Sequence, residues 1–339
     1  MDILIKSFNR AYYLDRCLYS IDKHVKNFDG KIYILDDGTP QIFLDKIISK
    51  YPHVIIKKSE FYEEKQLLIQ KGLKPKEYLI PINLWVNAAK EASDYFILIE
   101  DDTWFIDDIN IEDVQKELRE NKVVLSKLYW IGNPKINVNK KAELKRNLVI
   151  IEPKLFSRIP AVYYFVFYKF NRFKIRRILH LLKINTLDRQ LSYYTIYAVA
   201  GAIFKRDYFN RLWDNHTNVV DEGLQKYHAV KILFKEKKKN KYAHYKKEIL
   251  KTGFISSATN QNKEHYKGDV DMFVFNKILN EAWLEDSFNT IQSLPFDIKD
   301  EDVFSVLEND SLKRIQSKKW LSWSTAFKKQ YLEKGCVID

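Results

Sequence analysis

YFILIEDDTWF, residues 95–105, decides how the rest of this chain is read. Residues 95–99 are mostly apolar and run straight into Glu100, Asp101 and Asp102. A short apolar run bounded by polar residues predicts a buried strand. Acids placed where such a strand ends face the edge at which open α/β sheets bind ligands. Mg²⁺-type cations take one or two carboxylates together with substrate phosphates. The triplet therefore predicts a site for a metal and a diphosphate. The competing expectation is a solvated acidic turn.

Working back from this stretch, residues 3–5 predict a short strand and SFNR (7–10) a turn. Residues 12–24 predict an amphipathic helix, with Leu14, Cys17, Leu18 and Ile21 at helical spacing. KIYIL (31–35) predicts a second strand, and it too ends in acids, Asp36 and Asp37, followed by Gly38. A helix at 41–50 and a strand at 53–57 follow. Alternation of strand and helix predicts a mainly parallel, doubly wound α/β sheet flanked by helices, with both acidic strand ends on one edge. Residues 60–80 are mixed and charged. Residues 81–92 predict the helix that feeds the 95–99 strand, with a proline near its start.

Working forward, residues 107–120 predict a helix with acids at its N-terminal end. Strands are expected at 123–130 and 147–152. Composition then shifts: residues 158–183 are aromatic and basic, without an acid. They predict either a helical hairpin whose aromatics fill a core or an interfacial helix lying on anionic lipid. Residues 198–204 are small and apolar. A third acid pair, Asp221 and Glu222, precedes a helical stretch at 224–234; its bland reading is an ordinary helix start. The lysine-rich run 235–247 predicts an exposed loop or helix end. Residues 272–284 carry an apolar helical pattern.

The net charge of +12 favours anionic partners: nucleotides, phosphorylated lipids, membrane surfaces or nucleic acid. Nine glycines in 339 residues count against a glycine-rich phosphate loop. Two cysteines, Cys17 and Cys336, build neither a disulfide framework nor a zinc cluster, and suit a reducing compartment. The start of the chain has no signal-peptide pattern, and no apolar run is long enough to span a bilayer. A cytoplasmic protein is expected.

In this order the motifs resemble those of the family-2 type of GT-A glycosyltransferases. IKSFNRAYYLDRCLYSI (5–21) looks like that family's opening strand, T-Y-N-R turn and helix. KIYILDDGTP (31–40) looks like its V-V-D-D-G-S segment. NLWVNAAKEASDYFILIEDD (83–102) is similar to its stretch ending in the DxD-type site. AVAGAIFKRDYF (198–209) and VVDEGLQ (219–225) resemble its acceptor-side segment and its E-D segment, the latter with the two acids exchanged. The resemblance implies a GT-A sheet at 1–130, an acceptor-side and catalytic half at 131–290, and a helical tail at 291–339. It implies a nucleotide-sugar donor, a UDP-sugar first among them, and inverting transfer of a single sugar to a hydroxyl of a glycan or lipid-linked acceptor.

The same resemblance assigns residues. Ser7, Asn9, Arg10, Asp36, Asp37 and Asp101 would hold the nucleotide and its diphosphate. Asp102, with Glu100 in support because the triplet reads E-D-D, would hold Mn²⁺ or Mg²⁺, and His265 is a candidate further ligand. Asp221 or Glu222 would be the base, with Glu222 favoured because it holds the second place of the pair. Membrane contact through 158–183 would place the protein on the inner face of the membrane. Two other classes stay open: a nucleotidyltransferase on a similar sheet, and a non-catalytic membrane- or nucleic-acid-binding protein. SFNR has no glycine, which counts against the first. The second leaves the acids unexplained, and no nucleic-acid motif is present.

Overall fold

The computed structural model describes residues 1–76, 79–168, 178–179, 181–184, 186–217, 220–236, 239–258 and 270–338. The strands, in chain order, are β1 (Asp2–Ser7), β2 (Val25–Lys26), β3 (Ile32–Asp36), β4 (Val54–Lys58), β5 (Tyr95–Glu100), β6 (Thr103–Phe105) and β7 (Ile109–Asn110). They continue with β8 (Val123–Lys127), β9 (Asn139–Leu144), β10 (Leu148–Pro153), β11 (Ala202–Lys205), β12 (Lys241–Tyr245) and β13 (Leu250–Thr252). The first helices are α1 (Ala11–His24), α2 (Gln41–Lys50), α3 (Tyr62–Gln70), α4 (Ile82–Glu91) and α5 (Ile111–Glu120).

Nine of the strands form one sheet in the order β4-β3-β1-β5-β11-β8-β12-β10-β9. β4, β3, β1 and β5 are parallel neighbours, as are β8 and β12, while β11 and β10 run against their neighbours. This is the mainly parallel α/β sheet flanked by helices that the alternation implied. The apolar runs are continuous because the central strands are buried on both faces. In β5, Tyr95, Ile97 and Ile99 enter one core and Phe96 and Leu98 the other. In β1, Ile3 and Ile5 divide from Leu4 in the same way.

The parallel register brings the acidic strand ends to one edge. Ser7 pairs with Asp36 across β1 and β3, and Lys6 with Glu100 across β1 and β5. Two expectations are corrected, at 235–247 and at the start of the helix expected over 107–120, and two stretches for which no element was expected contain one. Residues 60–80 contain helix α3, and the lysine run at 235–247 contains β12, whose Tyr242, Ala243 and Tyr245 are buried. Residues 139–144 form β9, which the pattern did not announce because all six side chains are exposed. Charged residues along an edge strand discourage pairing with other chains and leave no apolar signal. The helix expected at 107–120 begins four residues later, after β7, where the Asn110 side chain accepts the Asp113 N–H at 3.1 Å.

Candidate active site

The SFNR turn leaves β1 and starts α1. Asn9 sits at φ +53°, in the left-handed region, and is fully buried. Its N–H donates to Thr39 Oγ1 at 2.8 Å, and its carbonyl accepts from Asn280 Nδ2 at 3.0 Å. Asn9 thus fixes the turn that aims its neighbour, Arg10. The Arg10 guanidinium donates to Asp101 and, at 2.6 Å, to Asp102 Oδ2. The Phe8 N–H donates to the second Asp101 oxygen at 3.0 Å. Burial opposes the charge on Arg10, but Asp101 and Asp102 outweigh it and raise its pKa. Burial in turn pushes both carboxyls upward while Arg10 pulls them back.

The adjacent acids after β3 divide the same way in space. Asp36 accepts from the N–H of Gly38 and from the N–H and hydroxyl of Thr39, so its carboxylate closes the turn. Burial raises it to about 6, against those hydrogen bonds. Asp37 instead points to the edge, where it accepts from Ser59 Oγ at 2.6 Å and from the Lys65 ammonium. Burial raises the Asp37 pKa and Lys65 lowers it. Gly38, at φ +128°, lets α3 lie close: a Cβ there would come within 2.5 Å of Lys65 Cβ.

Two cavities open at this edge. The first, of about 220 Å³, is lined by Lys6, Ser7, Phe8, Arg10, Asp37, Lys65, Trp85, Glu100 and Asp101, among others. Four cations and three carboxylates face one another here, with Lys65 over the Phe8 ring at 5.1 Å and Lys6 over the Trp85 ring at 4.7 Å. Such a space suits an anionic ligand with an aromatic portion. The second cavity, of about 420 Å³, is lined by Tyr129, Trp130, Tyr194, Tyr197, Tyr331, Lys127, Lys226, Lys334 and Glu222, among others. Glu100 lies in the wall of both. Its carboxylate is half-exposed, 3.6 Å from Lys6 Nζ.

The third acid pair also divides. Asp221 caps the helix Glu222–Lys235: one oxygen accepts the Leu224 N–H at 2.9 Å and the other the Tyr168 hydroxyl at 2.8 Å. Glu222, one residue on, faces the second cavity, accepts from the Tyr194 hydroxyl and lies 3.5 Å from Lys226 Nζ. The aromatic segment is described up to Tyr168. There Tyr163 is buried and packs on Tyr193 with ring centroids 4.6 Å apart, whereas Phe165 is exposed. The stretch 169–177 and His265 lie outside the described residues.

Whether these residues could hold a divalent cation turns on Asp102. Among the described residues no group of three or more His, Cys, Asp or Glu side chains gathers as a metal site. Asp102 Oδ1, however, is a buried carboxylate oxygen without a hydrogen-bond partner. Asp102 lines neither cavity, whereas Glu100 lines both. By donor chemistry, the Asp102 oxygen and the Glu100 carboxylate are the groups that could hold a hard cation completed by a diphosphate and water.

No protein-family model matches the sequence, and no curated protein does either. Solved structures similar to the chain include S. aureus TarS 1–349 in complex with UDP-GlcNAc, with 11% identity, a TM-score of 0.41, and coverage of 96% of this chain and 78% of that one. The mannosyltransferase PcManGT from Pyrobaculum calidifontis, in complex with GDP-Man and Mn²⁺, has 10% identity, a TM-score of 0.38, and coverage of 99% and 76%. The mannosyltransferase Ktr4p from S. cerevisiae has 14% identity, a TM-score of 0.33, and coverage of 69% and 61%. The chemistry of this chain therefore rests on its own side chains.

Of the residues expected from sequence, Ser7, Arg10, Asp37, Glu100 and Asp101 line the first cavity, and Glu222 lines the second. Asn9, Asp36 and Asp221 hold turns and a helix start behind them. Lys6, Lys65, Lys127 and Tyr194 were not expected. Lys6 lies between two apolar strand residues and Ser7, a position that reads as a solvated strand end. Lys65 sits in the unpatterned stretch, and nothing in its neighbours marks it.

Proposed function

We propose that the chain is an inverting glycosyltransferase that moves a single sugar from a nucleotide-sugar donor to a hydroxyl of a glycan or lipid-linked acceptor. The observation that supports this is Glu100, a carboxylate in the shared wall of a cation-rich cavity and an aromatic one. In this reading the first cavity takes the nucleotide, with Asp37 and Ser7 accepting hydrogen bonds from base or ribose. Lys6, Arg10 and Lys65 face the diphosphate. Asp102, through Oδ1, and Glu100 would hold Mn²⁺ or Mg²⁺, which when bound supplies a Lewis acid for the leaving diphosphate.

The second cavity takes the acceptor. Glu222 removes the proton of the acceptor hydroxyl as that oxygen bonds to the anomeric carbon. The bond from the anomeric carbon to the diphosphate oxygen breaks, and its electron pair leaves with the nucleoside diphosphate. Attack from the face opposite the leaving group inverts the configuration. Lys226 and Tyr194 hold the Glu222 carboxylate in place before the acceptor arrives.

A thermal-shift panel of UDP-, GDP-, CMP- and dTDP-sugars, with and without Mn²⁺, tests this reading, because stabilisation follows occupancy. One donor should raise the melting temperature, and more so with metal. Asp102→Ala should lose the metal-dependent part. If no nucleotide sugar stabilises the protein, the reading fails.

No described helix is long and apolar enough to cross a membrane. We place the protein in the cytoplasm, docking peripherally on the inner membrane face through residues 158–183. The exposed Phe165, Ile178, Leu181 and Leu182, in a segment rich in lysine and arginine, support that contact. Cosedimentation with anionic vesicles should be lost in Leu181→Glu/Leu182→Glu. Equal cosedimentation of the variant would remove this part of the proposal.

A further inference from the structure

The second cavity holds more positive charge than its carboxylates answer. Glu222 pairs with Lys226 at 3.5 Å, and Glu100 pairs with Lys6 at 3.6 Å. Lys127 and Lys334 line the same cavity, and neither has a carboxylate within ion-pair distance among the described residues. Lys127 is 4% exposed, and the one hydrogen bond made by its ammonium goes to the Ile136 carbonyl at 3.0 Å. An ammonium buried with a single neutral acceptor is costly, because its charge is neither hydrated nor paired. A leucine or methionine would fill the space without that cost.

Beside these lysines the chain builds a flat wall at a backbone cost. Trp130 sits at φ +52°, an outlier for a bulky residue, and strain of this kind gathers at ligand sites. Its N–H donates to Glu248 at 2.9 Å, and its carbonyl accepts from Asn137 Nδ2 at 2.7 Å. The Trp130 ring stacks on Tyr129 with centroids 4.9 Å apart. Gly201, at φ +65°, makes room for the Tyr129 ring, which lies 2.1 Å from where a Cβ would be. A held aromatic face presents negative π-density to the C–H face of a sugar ring.

We propose that this cavity takes an acceptor sugar that carries an anionic group, a phosphate or a carboxylate, seated between Lys127 and Lys334 with its ring against the Trp130 wall. The proposal rests on the glycosyltransferase reading for the word acceptor, but the preference for an anion stands on the cavity alone. Lys127 is a compact ammonium in a desolvated place, where an oxyanion seated beside it both gains most from the charge and holds the proton that burial alone would release. Lys334 follows the helix Ser317–Glu333, at the end whose carbonyls favour a cation. Burial lowers the pKa of the Lys226 ammonium; Glu222 opposes the shift and Lys334 adds to it, so an incoming anion relieves a crowd of like charges.

Calorimetric titration of the full-length protein with methyl glucoside, methyl glucuronide and glucose 6-phosphate tests this, with each titration repeated in the presence of saturating UDP. Both charged probes should bind at least about ten-fold tighter than the neutral one, with or without UDP. Whichever charged probe is tighter identifies the anion. Lys127→Met and Lys334→Gln should each bring the three probes within about three-fold of one another while UDP affinity is kept. Lys334 is at a helix end, so its variant reports even if Lys127→Met fails to fold. No advantage of either charged probe over methyl glucoside overturns the proposal, as does an advantage that survives in the variants. A charged-probe advantage with no nucleotide sugar binding keeps the proposal and removes the donor reading; the reverse outcome removes the proposal alone.

Discussion

Arg10 Nη1 lies 2.6 Å from Asp102 Oδ2, joining two residues 92 positions apart in the chain. The same guanidinium holds Asp101, so one buried cation answers two buried carboxylates. Removing it leaves both uncompensated. Arg10→Met should cost about 3–5 kcal/mol of stability, as breaking a buried pair does. Urea denaturation measures the loss. If Asp102 Oδ1 accepts a cation, added Mn²⁺ should recover part of the loss in Arg10→Met and little in Arg10→Met/Asp102→Asn. Equal recovery in both would count against metal binding at Asp102.

Asp221→Ala and Glu222→Gln should separate cleanly. The first removes a helix cap and should cost about 0.5–2 kcal/mol in denaturation, with turnover kept. The second leaves the fold intact and should lower nucleotide-sugar turnover by about 10²–10⁴-fold. A turnover loss confined to Asp221→Ala would reverse the assignment of the base.

Gly38→Ala tests how the first cavity is built. The added Cβ meets Lys65 at 2.5 Å, and φ +128° suits no side chain. Strain of about 1–3 kcal/mol is expected, with displacement of Lys65 from Asp37. Nucleotide affinity should fall together with stability. Wild-type affinity in a destabilised variant would show that the Lys65–Asp37 pair does not serve the ligand.

Burial alone lowers Lys127 to about 7, whereas an unfolded lysine titrates near about 10.4. Between the two values the unfolded chain carries the proton and the folded chain does not, so this residue makes stability rise with pH across that window. Below it the buried charge is fully present and its penalty complete. Lys127→Met should therefore stabilise the protein most at about pH 6, and the gain should shrink by about pH 9. Urea midpoints of both proteins across that range measure it; a gain independent of pH would contradict the assignment.

The frame of the molecule was legible because β1, β3 and β5 are buried on both faces and so announce themselves as apolar runs. The acids after them were legible as strand ends. Which acid of each pair faces a cavity was not. Successive residues of an extended chain point to opposite sides, so Asp36 turns inward to Thr39 while Asp37 faces the cavity. At Asp221 and Glu222 the same ambiguity arises from helix geometry: the cap position looks back at the backbone and the next residue looks out. Lys6, Lys65 and Lys127 were illegible for another reason. Their burial is created by elements distant in sequence, and a lysine carries no local sign of it. β9 and β12 were hidden by charge, one exposed throughout and the other flanked by lysines.

β11 lies between β5 and β8, hydrogen-bonded to both, with Ala202 opposite Leu98 on one side and Lys127 on the other. Glu100 and Lys127 end the two strands that flank it. Lys127 lies two strand spacings, about 10 Å, from Leu98, and Glu100 stands two residues, about 7 Å, further along β5, so the two are about 12 Å apart, fixed by backbone ladders. No hinge can fall between them without breaking those ladders. The sheet therefore acts as a ruler: on the proposed function, donor and acceptor must fit a gap of set length, and any closing motion is left to the loops above it.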